Sequence, residues 1–204
     1  MNKRSIAVVV AAALAALAST AVQAQAADKG DWVVRGRALH LQSANKDETG
    51  LGLSVNDKWF PELDIGYFIT PNLAVELILT YPQKHTVNST VIGRDIGTFK
   101  HLPPTLTFQY HLTAIPGFRP YVGAGLNYTN ISDVKILDGA VGLKHNSYGW
   151  AAQVGADIPV GGGWLVNLDV KKVKIGTNVY LNSVDQGKFN VDPLLVSVGF
   201  GKRF

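Results

Sequence analysis

The chain of 204 residues contains no cysteine. A disulfide framework is therefore excluded, and so is a lipid anchor on a cysteine behind a signal segment. Beyond the first 24 residues, long apolar runs are also missing, since the stretch from Leu73 to Tyr81 is interrupted by Glu76. A helix that crosses a membrane needs about 20 apolar residues. If this chain lies in a membrane, it must therefore cross it as strands.

Net charge is low as well. The formal net charge is +4, and it falls to about +2 without Lys3 and Arg4. Nucleic-acid binding requires a clustered basic face, whereas the lysines of this chain are scattered along the sequence. The sequence therefore predicts no nucleic-acid partner.

Motifs for catalysis and for metal binding are sparse. An enzyme that acts on membrane lipid is the main rival class, and it would need a base beside a nucleophile or a carboxylate. Of the five histidines only His111 lies on a clearly inward strand face, and no Gly-x-Ser-x-Gly elbow accompanies it. The histidines are separated by ten residues or more, without metal-ligand spacing. The sequence predicts no enzyme, no metal and no cofactor.

The first residues have the pattern of a secretory signal. Lys3 and Arg4 precede the apolar run 6–18, and small residues follow. Cleavage fits after Ala24 or after Ala26, and the sequence leaves this choice open. The predicted organisation is a signal peptide over 1–24 and one domain over 25–204.

The informative signal in the rest of the chain is alternation, because successive side chains of a strand point to opposite faces. One face of the segment 102–112 carries leucines, Phe108 and Tyr110, whereas the other carries threonines, Gln109 and His111. Similar alternation occurs near 31–42, 59–69, 73–82, 101–113, 118–131, 147–158, 163–175 and 192–204. Long connections (43–57, 83–100, 132–146, 176–191) alternate with tight ones. This is the layout of an eight-stranded antiparallel transmembrane β-barrel, with short periplasmic turns and long extracellular loops, in the bacterial outer membrane.

Aromatic residues fall near the predicted strand ends, where Trp and Tyr favour the membrane interface. A soluble barrel with an apolar core is the alternative, but its interior would have to hold polar side chains such as Glu62, Glu76 and Asp157. The terminal Phe204 ends an alternating apolar series. It predicts recognition by the barrel-assembly machinery.

Three groups of residues are candidate functional sites. The predicted lumen lining consists of Glu62, Asp64, Glu76, Ile78, Thr107, Gln109, His111 and Lys171. The predicted loop mouth consists of the apolar residues Leu51, Leu53, Ile136 and Leu137, which alternatively cap one another as strand extensions. The predicted lateral seam consists of Pro82, Pro103 and Pro104, which lack the N–H that a strand ladder needs.

Several blocks of the sequence resemble the OmpW family of small outer-membrane proteins. They are His101 to Leu106, Phe118 to Gly125, Asn127 to Thr129 and Trp164 to Asn167, with weaker agreement over the rest of the mature chain apart from the loops. The resemblance implies an eight-stranded barrel with a narrow, partly apolar interior. It also implies uptake of small hydrophobic molecules. Lys171 departs from the family pattern, because an aromatic residue can stand there.

The residues alone leave two functions open. One is a channel-like barrel that passes small hydrophobic solutes across the outer membrane. The other is a structural or receptor-type barrel, serving envelope integrity or phage or host-factor binding, with a lumen plugged by ion pairs of Glu62, Asp64 and Glu76 with Arg35 and Arg119. The resemblance favours the channel. Outer-membrane lipid is a partner in both.

Overall fold

The computed structural model describes residues 31–204, and the predicted signal peptide lies outside the described residues. This part of the chain is almost entirely β-structure. In chain order the strands are β1 (Trp32–Gln42), β2 (Lys46–Asp47), β3 (Leu53–Val55), β4 (Lys58–Phe68), β5 (Leu73–Leu79), β6 (Gln83–Ser89), β7 (Arg94–Leu102), β8 (Thr105–His111), β9 (Arg119–Ile136), β10 (Val141–Leu143), β11 (Asn146–Gly161), β12 (Trp164–Val173), β13 (Gly176–Leu181), β14 (Val184–Asn190) and β15 (Leu194–Arg203). A short 3₁₀ turn, Leu137–Gly139, follows β9.

Eight of these strands form a closed wall, which confirms the predicted barrel. The order is β1-β4-β5-β8-β9-β11-β12-β15, all pairs are antiparallel, and β15 pairs back to β1. Closure leaves no open edge, so every ladder position can be paired inside the membrane. No helix within residues 31–204 is long and apolar enough to span a membrane.

The outer surface of the barrel is apolar. Leu63, Leu77, Leu106, Phe108 and Leu126 are all exposed on the outside, whereas the polar members of the same strands are buried within. This polarity is the reverse of that of a soluble barrel, and it excludes the soluble alternative. Trp and Tyr side chains are exposed near the strand ends, where they match the two membrane interfaces.

The two ends of the barrel differ in size. The periplasmic connections are short, and the turn between β11 and β12 consists of glycines at 161–163, each with positive φ. The opposite end extends well beyond the wall. There β6 pairs β7, β13 pairs β14, and β9 continues to Ile136, so that the segments predicted as long loops form a sheet extension.

The two strands next to the prolines are shorter than the sequence predicted. The strand predicted over 73–82 ends at Leu79, and the strand predicted from 101 begins at Thr105. Pro82, Pro103 and Pro104 lie in the gaps, because proline cannot donate to the ladder. Residues 83–102 continue as the β6–β7 hairpin above this break.

Candidate functional site

The periplasmic half of the lumen is filled by buried ion pairs. Arg35, on β1, donates from Nε to Asp157 Oδ1 at 3.0 Å and from Nη1 to Glu76 Oε1 at 2.9 Å. Both arginine and glutamate are fully buried. Because β1, β5 and β11 lie at different positions around the barrel, this one guanidinium connects three strands across the lumen.

A second set of ion pairs is formed by Arg37, which lies two residues after Arg35 on β1, towards the extracellular end. Arg37 Nε is 2.8 Å from Asp64 Oδ2, and Arg37 Nη2 donates to Glu76 Oε1 at 2.9 Å. Lys171 Nζ lies 3.3 Å from both carboxylate oxygens of Glu62. Arg37 shares the inward face of β1 with Arg35, so alternation was a signal for it that the sequence analysis did not use.

Neutral groups complete the coordination of Glu76. Its Oε2 accepts hydrogen bonds from Gln109 Nε2 at 2.6 Å and from Gln153 Nε2 at 3.1 Å, and Thr107 Oγ1 lies at 3.4 Å. A buried carboxylate requires such partners, because an uncompensated charge in a low-dielectric interior is costly. Glu76 is therefore the centre of the network.

Aromatic rings pack beneath the network at the periplasmic end. The His111 ring lies 4.9 Å from Phe68 and 4.8 Å from Tyr121, and its Nε2 contacts Gln109 Oε1 at 2.9 Å. Tyr121 donates to Asp169 at 2.9 Å. A Cβ on Gly155 would lie 2.4 Å from the Tyr121 ring, so a glycine at this position leaves the space that the ring occupies. These contacts make His111 part of a packed layer.

Charges balance in this half of the barrel. Five buried carboxylates (Glu62, Asp64, Glu76, Asp157, Asp169) share it with three buried cations (Arg35, Arg37, Lys171). Arg119 and Arg203 are half-buried at the periplasmic end and interact electrostatically with Asp157. The network therefore forms a nearly neutral floor that closes the lumen.

Above this floor lies a small chamber with mainly apolar walls. Its lining includes Leu39, Phe60, Ile78, Val173 and Leu195, and Glu62 and Lys171 form its lower boundary. Its volume is about 20 Å³, enough for one or two waters. The lumen thus changes from charged to apolar at the level of Ile78.

The residues of the predicted mouth lie at the extracellular end of the chamber. Leu53 and Ile136 are buried, and Leu51 and Leu137 pack partly buried against the same cluster. This cluster is contributed mainly by the strand extensions, with Ala151 and Val173 from the wall. It has 15 buried members: Leu53, Val55, Val87, Ile96, Phe99, Ile131, Ile136, Val141, Leu143, Ala151, Val173, Ile175, Val179, Phe189 and Val191. The apolar side chains of the loops therefore cap one another, as in the alternative that the sequence left open.

The prolines of the predicted seam border a break in the wall. Below it, the last registered pair of β5 and β8 is Ile78 with Thr105, and above it, the first pair of β6 and β7 is Gln83 with His101. Residues 79–82 and 102–104 have no registered partners across this interval. On the other side, Pro104 O accepts from Tyr128 N at 3.1 Å, so the segment stays attached to β9.

Two histidines stack just above the break. The rings of His85 and His101 are 4.7 Å apart and nearly parallel. Burial is the main cause that lowers the pKa of His85 to about 4 and that of His101 to about 3, and Lys58 lowers both further. Both rings are therefore neutral at ordinary pH. Within residues 31–204, no group of three or more histidine and carboxylate side chains is arranged to hold a metal ion.

Comparison with known proteins places the chain in a family. The sequence model of the OmpW family matches residues 28–204. The chain belongs to the OmpW family. It is 37% identical over 193 residues to the uncharacterized outer-membrane protein y4mB of Sinorhizobium fredii, a match that covers 90% of this chain and 84% of that protein.

Two further similarities agree with this assignment. The crystal structure of the outer membrane protein OprG from Pseudomonas aeruginosa superimposes with a TM-score of 0.72 at 25% identity, covering 88% of this chain and 98% of that one. The dibenzothiophene metabolism operon protein PahQ of Pseudomonas aeruginosa is 34% identical over 148 residues, 69% of each chain. This OmpW-family chain is therefore an outer-membrane barrel.

The eight residues of the predicted lumen lining all point into this OmpW-family barrel, and each is at most 6% exposed. They divide into two groups. Glu62, Asp64, Glu76, Lys171 and the neutral residues Thr107, Gln109 and His111 belong to the floor, whereas Ile78 alone lines only the chamber.

Proposed function

We propose that this barrel takes up small hydrophobic molecules from the extracellular side and releases them sideways into the outer membrane. The observation that carries the proposal is the change of the lumen at Ile78, from an apolar chamber above to an ion-paired floor below. An apolar solute gains free energy by leaving water for the chamber, whose walls must move apart to admit it because the resting space holds only one or two waters. The ion-paired side chains of the floor offer an apolar solute no such gain in free energy.

The floor argues against a straight path through the barrel. A solute that passed it would have to separate Arg35 from Glu76 and Asp157, whose contacts are buried. Breaking a buried ion pair by removing its partner costs about 3–5 kcal/mol. A route through the wall avoids this cost.

The break between β5–β6 and β7–β8 supports such a route. Thr80, Pro103 and Thr105 line both the chamber and the break. Because the prolines already remove ladder donors there, opening this gap breaks fewer backbone hydrogen bonds than opening a fully paired seam of the wall. We therefore assign the exit to the seam of Pro82, Pro103 and Pro104.

Entry requires the apolar cluster above the chamber to part. Its members come largely from hairpins above the wall, so the cluster can part if the pairs between these hairpins and the extension of β9 open while the eight-stranded wall stays paired. The relative named for a dibenzothiophene metabolism operon is consistent with a hydrophobic solute. The proposal assigns no catalytic step, since His111 is packed between aromatic rings.

Uptake by liposomes tests the proposal directly. Liposomes that contain the purified barrel should take up a small apolar dye faster than liposomes without protein. The Leu53→Ser/Leu137→Ser variant should slow uptake, because it makes polar a part of the apolar lining that the solute contacts when the cluster parts. Val91→Ser/Val184→Ser is the control, since these valines are exposed at hairpin tips outside the cluster. Unchanged or faster uptake by the Leu53/Leu137 variant would argue against a mouth that attracts the solute.

A crosslink tests the exit. The chain has no cysteine, so Thr80→Cys and Thr105→Cys introduce the only thiols. Bridging them with a short bifunctional thiol reagent should block delivery of the dye to the membrane and leave the barrel folded. A Val170→Cys/Val196→Cys pair joins directly opposed positions on the far wall and is the control. Uptake that survives complete crosslinking of the seam would exclude this route.

A structural or receptor-type barrel is the second candidate. The closed floor favours it, because a plugged lumen rigidifies an anchor that presents its extracellular hairpins to a phage or host factor. The two functions separate in the liposome experiment. A barrel that does not accelerate dye entry above protein-free liposomes supports the structural role.

Assembly is the last part of the proposal. We infer that Phe204 engages the barrel-assembly machinery at the end of β15. Phe204 is exposed, and its N–H donates to Trp32 O at 2.9 Å, which joins the last strand to the first. Deletion of Phe204 should lower the amount of heat-modifiable protein in the outer membrane. Normal amounts would contradict this assignment.

A further inference from the structure

Lysines face each other on the outer surface of the β6–β7 hairpin. Lys84 and Lys100 are directly opposed in the ladder, and the neighbouring His85 and His101 point inward. Lys135 of β9 lies next to them, since β9 pairs with β7 through Thr98 and Lys135. We call Lys84, Lys100 and Lys135 the lysine patch.

The patch has an excess of positive charge. Like charges directly opposed on neighbouring strands destabilise a sheet. The nearest carboxylate is Asp133, which lies 2.7 Å from Lys100 and whose pKa is lowered first by Lys100 and then by Lys135. Within residues 31–204, Lys84 has no carboxylate at ion-pair distance. An anion bound to the patch would relieve this repulsion.

The height of the patch indicates which anion. Lys84 follows the exposed Tyr81 by three residues, and exposed Leu106, Leu126 and Tyr128 lie on the strands below. The apolar belt therefore ends immediately beneath the lysines, which places the ammonium groups at the level of the lipid head groups. In the outer leaflet of the outer membrane, these head groups are phosphorylated sugars.

A cleft continues upward from the patch. It has a volume of about 610 Å³ and lies where β7, β9 and the 3₁₀ turn meet. Its charged side chains are Arg94, Lys135, Asp95 and Asp138. Leu137 and Asp138 have φ values of 46° and 52°. Such strained backbone is costly for a leucine and is concentrated at ligand-binding sites. The cleft is of the size of small-molecule sites.

We propose that the lysine patch and this cleft bind the phosphorylated glucosamine head group of lipid A, with the phosphates on Lys84 and Lys100 and the sugar in the cleft. The acyl chains lie along the exposed leucines below. The lysine patch lies on the outer surface of the barrel, whereas the chamber faces the lumen.

Native mass spectrometry of the detergent-solubilised barrel tests the proposal. The protein is titrated with lipid A that carries both phosphates and with the same lipid after removal of the phosphates. The phosphorylated form should bind more tightly. The Lys84→Gln/Lys100→Gln/Lys135→Gln variant should weaken its binding by roughly a hundredfold, since each lysine near an anionic head group contributes about one fivefold step.

Two further variants make the test specific. Lys46→Gln/Lys144→Gln/Lys188→Gln removes the same charge from exposed positions outside the patch and should leave binding within about twofold. Asp133→Asn removes the competing carboxylate and should tighten binding by about fivefold. Heat-modifiable migration verifies that each variant is folded. Equal losses in the two triple variants, or equal binding of the two lipids, would overturn the proposal.

Discussion

The two halves of the barrel interior are built on opposite principles. The periplasmic half contains five buried carboxylates and their cations, and its partners are far apart in sequence, as in Arg35 with Asp157. The extracellular half contains an apolar cluster to which short hairpins contribute most members. Ion pairs require fixed partners, whereas apolar side chains accept one another in many arrangements. The comparison indicates a rigid floor beneath a cap that can open.

This difference also predicts where each half fails. A change in the floor leaves an unpaired charge among strands of the wall, so it should destabilise the whole barrel. A change in the cap weakens hairpins that can open while the wall stays paired, as locally unfolding units do. The predictions below test this division.

The largest expected effect is that of Glu76→Ala. Glu76 accepts hydrogen bonds from Arg35, Arg37, Gln109 and Gln153, so its removal leaves two buried guanidinium groups with too few partners. The free energy of unfolding should fall by about 3–5 kcal/mol. Reversible urea unfolding in lipid vesicles, followed by tryptophan fluorescence, measures it.

Asp185→Ala is the matched control for Glu76, because Asp185 is an exposed acid at the β13–β14 hairpin. Its effect should stay within about 0.5 kcal/mol. If Glu76→Ala were as mild as this control, the floor would not be a network on which the wall depends.

The second expected effect is that of Ile136→Ala in the cap. Ile136 is 1% exposed within the apolar cluster, and truncation of such a residue costs about 2–4 kcal/mol. Hydrogen exchange should accelerate more in β6, β7, β13 and β14 than in β12 and β15, because the cap can open while the wall stays paired. An equal acceleration in the wall strands would show that cap and wall open together.

The sequence predicted the wall better than the cap, for a physical reason. A strand between lipid and lumen must alternate, and the run from Leu106 to His111 does so without exception. The hairpins of the cap have no such requirement, since they lie above the hydrocarbon. In β14 only Phe189 and Asn190 are buried, so the pattern of that strand carried little signal.

Alternation predicts which side chains face inward, but it does not predict which of them contact one another. The contact of Lys171 with Glu62 joins residues 109 positions apart, and it depends on the closure of the barrel through β15 and β1. From the sequence, Arg35 and Arg119 were expected to be the cations of the floor, and Arg37 was not. In the structure Arg37 is fully enclosed, whereas Arg119 lies half-buried at the periplasmic end. Which of these arginines reaches the floor depends on the register between neighbouring strands. That register is fixed only when the whole barrel closes.

The smallest expected effect concerns the stacked histidines at the boundary between cap and wall. The folded hairpin holds the pKa of His85 at about 4 and that of His101 at about 3, below the value of 6.5 in an opened hairpin. Between pH 7 and pH 5.5 the opened form therefore takes up protons that the closed form does not bind. Stability of the hairpin should fall as the pH falls, by about 1 kcal/mol for each histidine.

Hydrogen exchange at pH 7.0 and pH 5.5, corrected for intrinsic exchange rates, measures this change as the protection of β6 and β7 relative to β12. The ratio should fall by roughly thirtyfold at the lower pH in the unmodified protein, which corresponds to about 2 kcal/mol for the two histidines. His85→Phe/His101→Phe keeps two stacked rings without titratable groups and should abolish the pH dependence. His40→Phe is the control, because His40 packs against Trp59 outside the hairpin and its replacement should leave the dependence intact. A ratio that is independent of pH in the unmodified protein would mean that the cap does not open on its own at this boundary, and that its hairpins are as firmly joined to the wall as the floor is.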